Sequence, residues 1–130
     1  MKKALYLLLT LAIVATSCQK AQPLPQAIQG KWHLYKTALV ENDERKEWDA
    51  NDYYEFSESK VTITDKYGET VLDYSLDEAN NTLKIGNADY TIDSFKSKEM
   101  VLHLEGITFT VIDGMLVKTT QVNYYYLRKE

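Results

Sequence analysis

Apolar and polar residues alternate with a period of two in short runs along most of the chain, and clusters of Gly, Asn and Asp separate the runs. Successive side chains of a strand point to opposite faces, so this pattern predicts half-buried β-strands. The runs are Trp32–Val40, Tyr53–Ser57, Lys60–Thr64, Thr70–Leu76, Thr82–Ile85, Ala88–Phe95, Met100–Leu104, Ile107–Ile112 and Thr120–Leu127. After Gly30 no stretch of about a dozen residues carries apolar positions at helical spacing. Asp113-Gly114 suits a tight hairpin turn, Gly86-Asn87 and Glu105-Gly106 suit short loops, and Asp65–Gly68 and Asp77–Asn81 suit slightly longer ones.

Parity within the runs separates a dry face from a wet one. The dry face takes Tyr54, Phe56, Val61, Ile63, Leu72, Tyr74, Leu76, Tyr90, Ile92, Met100, Leu102 and Leu104, and then Ile107, Phe109 and Val111. Glu55, Thr62, Asp73, Asp89, Asp93 and His103 fall on the wet face. Hairpin-length connections imply an all-β, antiparallel up-and-down meander of eight or nine strands. Closing such a meander into a barrel hides its single apolar face and removes exposed edges. Residues 30–130 are read as that barrel.

The amino-terminal pattern is different. Met1-Lys2-Lys3 precedes an apolar run, Ala4–Ala15, broken only by Thr10, and polar residues resume at Gln19. The run is too short to cross a bilayer, which needs about 20 apolar residues, and it has the layout of a secretory signal. Ala15-Thr16-Ser17-Cys18 resembles the lipobox of bacterial lipoproteins, with Ala15 where a larger aliphatic residue is usual. The resemblance implies a signal peptide over 1–17, cleavage before Cys18, and acyl chains on Cys18 that hold the protein to a membrane. Residues 18–29, rich in Gln, Ala and Pro, read as a tether. Gln19, rather than Asp, after the cysteine points to the outer membrane, and the lack of early acidic residues points to its periplasmic side.

Composition narrows the function classes. Once Lys2 and Lys3 leave with the signal, 13 basic residues face 19 acidic ones, opposite to what a sequence-independent grip on nucleic acid needs. A single cysteine excludes an internal disulfide and a cysteine-rich metal site. His33 and His103 stand on different strands without metal-ligand spacing, and no nucleophile elbow, phosphate loop or triad can be assembled. No metal, cofactor or enzymatic activity is expected.

Gly30-Lys31-Trp32 at the entrance to the first strand resembles the Gly-x-Trp signature of the lipocalin and calycin superfamily. Tyr124-Tyr125-Tyr126-Leu127-Arg128-Lys129 resembles the closing strand of small lipocalin-like lipoproteins of Bacteroidetes-type bacteria. The resemblance spans residues 30–130, but the Thr-Asp-Tyr motif of true lipocalins and their long carboxy-terminal helix are missing. It implies that Trp32 closes the barrel base, with a basic residue, Arg128 or else Lys129, across its ring. It also implies a long first loop over the open mouth. Glu41–Asp52, with eight charged residues and Trp48, would be that loop, or a solvated connector with one helical turn.

Tyr54, Phe56, Tyr74, Tyr90 and Phe109, sharing the inward parity, are the candidate ligand contacts. The expected ligand is a small hydrophobic or amphipathic molecule. A neutral or cationic one is favoured, because only Lys36 and Arg128 are candidate inward cations. The alternative is a protein-interaction module with a side-chain-filled barrel, an envelope assembly factor or inhibitor.

Overall fold

A computed structural model describes residues 24–130. A single turn of helix, α1 (Leu24–Ala27), leads into β1 (Gly30–Glu41), β2 (Glu44–Phe56), β3 (Lys60–Asp65), β4 (Gly68–Asp77), β5 (Thr82–Ile85), β6 (Ala88–Lys96), β7 (Glu99–Ile112) and β8 (Met115–Lys129). Neighbours in sequence pair antiparallel throughout, and β1 pairs with β8 to close the barrel. The all-β meander closed into a barrel is therefore shown, with eight strands.

Two of the predicted runs are one strand. Met100–Leu104 and Ile107–Ile112 join as β7, which runs straight through Glu105-Gly106 and pairs with β8 from Glu99↔Arg128 to Ile112↔Met115. Nothing lies within 4 Å of where a Cβ on Gly106 would stand, so neither packing nor a turn requires glycine there. Continuity has a consequence for parity. Leu102 and Leu104 point inward, so Ile107, Phe109 and Val111 lie on the outer face, opposite to expectation.

Glu41–Asp52 is not a loop. Asn42 and Asp43 take positive φ (53° and 63°), the pair of left-handed residues that a tight hairpin turn needs, and β2 starts at Glu44. Trp48 sits opposite Thr37 and is half exposed. Among the described residues no long loop covers the mouth.

The core fills the barrel's lower part. Trp32, Leu34, Phe56, Val61, Leu83, Ile85, Ile92, Met100, Leu102 and Leu127 are all buried, and Tyr54, Ile63, Leu72, Tyr90, Phe95 and Tyr125 pack on them. Register shifts between Leu34 and Lys36 and between Ile92 and Ser94 mark bulges, which bend strands and help a short sheet curl shut. The end of the expected tether belongs to this core. Ile28 is fully buried, its amide bonded to the Leu24 carbonyl at 3.0 Å, so Leu24–Gln29 plugs the base. The first part of that tether and the signal lie outside the described residues.

The wall is uneven in height. β2 pairs with β3 only over Tyr53–Phe56, and β6 leaves β7 at His103, so β2, β1, β8 and β7 rise above the other four strands. β1 reaches only as far as Gln121 on β8. Beyond that point β7 and β8 continue alone as a two-stranded ribbon.

Candidate functional site

At the closed end, Trp32 is fully buried, its Nε1 donating to the Ile28 carbonyl at 2.7 Å and its ring tilted against Phe95 at 5.7 Å. The cation across the indole is Lys129, whose Nζ stands 5.6 Å from the ring centroid and donates to the Ala27 carbonyl at 2.8 Å. Arg128 lies instead 3.8 Å over Tyr35 on the outside. Register explains the assignment: Lys129 is opposite Trp32, whereas Arg128 is opposite His33 and shares its outward parity. Gly30 is required here. Its φ is +122°, and a Cβ on it would come within 3.0 Å of the Lys129 stem.

The predicted aromatic contacts separate. Phe56 is a core residue, 2% exposed. Tyr74 stands low in the wall, edge-on to Phe56 at 5.0 Å, with its hydroxyl donating to the Ser57 carbonyl. Phe109 is outside the barrel altogether and 60% exposed. Tyr54 and Tyr90 both pack on the core, as does Tyr125, which stands edge-on to Tyr90 at 5.4 Å. Tyr125 is two residues before Leu127, so strand parity alone marks it as inward.

Burial pushes all three phenols above their ordinary ionisation range, Tyr54 the furthest, and the neighbouring phenols reinforce the shift of Tyr54 and Tyr90. At the mouth opens a cavity of about 650 Å³ lined not by these three tyrosines but by residues including Leu34, Asp52, Tyr53, Asp65, Lys66 and Tyr67. Asp52 shares the inward parity of Tyr54, and its carboxyl is held above the usual carboxylate range, first by burial and then by the Asp65 charge. Neither expected cation faces this space. Lys36 lies over the outer ring of Tyr126 at 4.3 Å, and Arg128 over Tyr35.

The outer wall carries its own array. Arg45 stands 5.2 Å from the Tyr124 ring, donates to the Tyr126 hydroxyl and pairs with Glu47 at 3.0 Å, which also forms an ion pair with Lys36 at 3.7 Å. Ala38, between these side chains on the same outer face, is only 2% exposed. Long charged side chains lying along rings shelter the backbone beneath them, and this is how a charge-rich segment becomes a strand.

Among the described residues the largest exposed apolar feature is the ribbon. Ile107, Phe109, Val111 and Leu116 project from its outer face, and Ile112, Met115 and Val117 from the face continuous with the barrel interior. Six of these seven are more than half exposed. Between Gly106 and Thr120 the only charged residues are Asp113 and Lys118. Among the described residues no group of three or more His, Cys, Asp or Glu gathers in metal-binding geometry. No family model, curated protein or solved structure matches the chain.

Proposed function

We propose that the chain is a lipid-anchored, non-enzymatic interaction module of the bacterial cell envelope, and that the β7–β8 ribbon is its contact surface. The observation that carries this reading is the ribbon itself: seven large apolar side chains held clear of the barrel and of one another's shelter. Soluble monomers rarely expose contiguous apolar patches beyond a few hundred Å², and larger ones mark interaction sites. Acylation of Cys18 would fix the module to the outer membrane on its periplasmic side, and the short basic start, the apolar run and the lone cysteine support that placement. The closed eight-stranded meander, with Trp32 at its base and a cation across the ring, supports a lipocalin-like ancestry.

Site-specific photo-crosslinkers at Phe109 and Leu116 in the full chain, expressed in bacterial cells, test the reading. Protein adducts are expected at both positions and none at Val71, which is equally exposed but lies on β4. Equal labelling at all three positions would refute a dedicated surface.

The mouth supports a second reading, a site for a neutral or cationic amphiphile. Its volume lies within the range of small-molecule sites, and Tyr53, Tyr67, Asp52 and Asp65 supply aromatic and acidic contacts. Saturable binding of a cationic fluorescent probe, weakened by Asp65→Asn or Asp52→Asn in a folded protein, would establish it. Binding unaffected by either variant would remove it.

A further inference from the structure

We infer that the ribbon's partner is a second copy of this chain, joined through the free edge of β7 about a two-fold axis at Thr108. This rests on the reading of the ribbon as a contact surface and names its occupant.

β6 covers the edge of β7 only as far as His103, so from Leu104 to Ile112 that edge carries backbone donors and acceptors with no strand of the described residues beside them. Folded proteins ordinarily blunt such an edge with charge, proline, a bulge or a covering loop. Ile107-Thr108-Phe109-Thr110-Val111-Ile112 has none of the first two, and its pairing with β8 is regular throughout. An edge this regular and uncharged is suited to receive another strand.

Self-pairing has one register that uses the whole edge. The free stretch Leu104–Ile112 is symmetric about Thr108, so an antiparallel copy centred there sets Leu104 against the partner's Ile112 and Ile107 against the partner's Phe109. Ile107, Phe109 and Val111 of both copies then form one continuous face, because residues directly opposite each other point the same way. Charge selects the same register. Glu105 meets the partner's Val111, and Asp113 falls past the paired stretch. Moving the axis to Phe109 would set Glu105 against the partner's Asp113, two acids in direct opposition. The rest of this acidic molecule would repel a like-charged copy, but the ribbon carries only two charges of opposite sign between Gly106 and Thr120. A closed two-fold dimer is also the commonest solution for a self-complementary patch.

The test uses the full chain with Cys18→Ser, so that no other thiol is present. In that background Thr108→Cys should give a disulfide-linked dimer on mild oxidation, whereas Thr119→Cys, its cross-strand neighbour on β8, should not. Charge exchange adds a second arm. Thr108→Lys alone and Thr108→Glu alone should sediment as monomers, each with the unaltered circular dichroism of the parent, and an equimolar mixture should restore the dimer. Equal crosslinking at both cysteine positions, or a parent chain that remains monomeric at high concentration, overturns the second-copy assignment. If crosslinkers at Phe109 and Leu116 still give adducts with other proteins, the contact-surface reading survives with a different partner. If they give none, both fall.

Discussion

The decisive residues work in pairs set by register. Trp32 has both its polar atom and its ring face engaged, by the Ile28 carbonyl and by Lys129, and it supports the plug formed by Leu24–Gln29. Trp32→Ala should therefore cost about 3 to 5 kcal/mol in urea unfolding, as truncation of a large buried aromatic does. Lys129→Ala should cost about 1 to 2 kcal/mol, from a lost hydrogen bond and a lost cation over an indole, and Arg128→Ala less, because its partner Tyr35 lies on the outside. A larger loss at Arg128 than at Lys129 would reverse the assignment. Asp52 is expected to act against stability. A carboxyl whose folded-state value is raised contributes fully below its ordinary value of 3.8, and that contribution is lost as pH rises through the folded-state value. Asp52→Asn should therefore raise the melting temperature near neutral pH, with the gain vanishing at about pH 3, where the aspartate is itself neutral. A gain that persists in acid would mean that the carboxylate charge is not the cause.

At the scale of elements, turns decide where the wall is tall. Asn42 and Asp43 both occupy the left-handed region, so the β1–β2 hairpin closes at once and carries its charges as strand residues. Asp43→Val should destabilise the fold by about 1 to 2 kcal/mol, since a β-branched side chain is strained at positive φ. Asp43→Gly should be neutral or slightly stabilising. Thermal melts of the two variants in parallel separate this backbone effect from loss of the carboxylate, which both share. Gly106 presents the converse case: a glycine inside a strand reads as a break, yet the continuous pairing of β7 with β8 carries the chain through it.

At the scale of the molecule, barrel and ribbon are separable. The core cluster draws nothing from the chain between Gly106 and Gln121. Replacing Thr108–Thr119 with an Asn-Gly turn should leave the barrel's melting temperature within a few degrees of the parent and should remove association. A collapse in stability would show that the ribbon is part of the folding unit.

The fold was legible in the sequence because strand periodicity and hairpin chemistry are local. Alternation marked the inward faces of most strands, Asp113-Gly114 marked a turn, and Gly30-Lys31-Trp32 marked the base. Tyr54 and Tyr90 were also found this way, each through the parity of its own short run. Three assignments required the tertiary structure, and all turn on pairing partners distant in sequence. Whether Glu105-Gly106 bends or continues depends on β8 lying alongside it, and that choice moved Phe109 from the cavity to the outer face. Arg128 and Lys129 are adjacent basic residues, and only the register of β8 on β1 selects Lys129 as the clasp. The charges of Glu41–Asp52 suggested solvent, but Tyr124 and Tyr126, some 80 residues away, supply rings for Arg45 and Lys36 to lie on. Strand period is a property of consecutive residues. Which edge is left uncovered is decided only when every strand has found its neighbour, and the free edge of β7 is what remains.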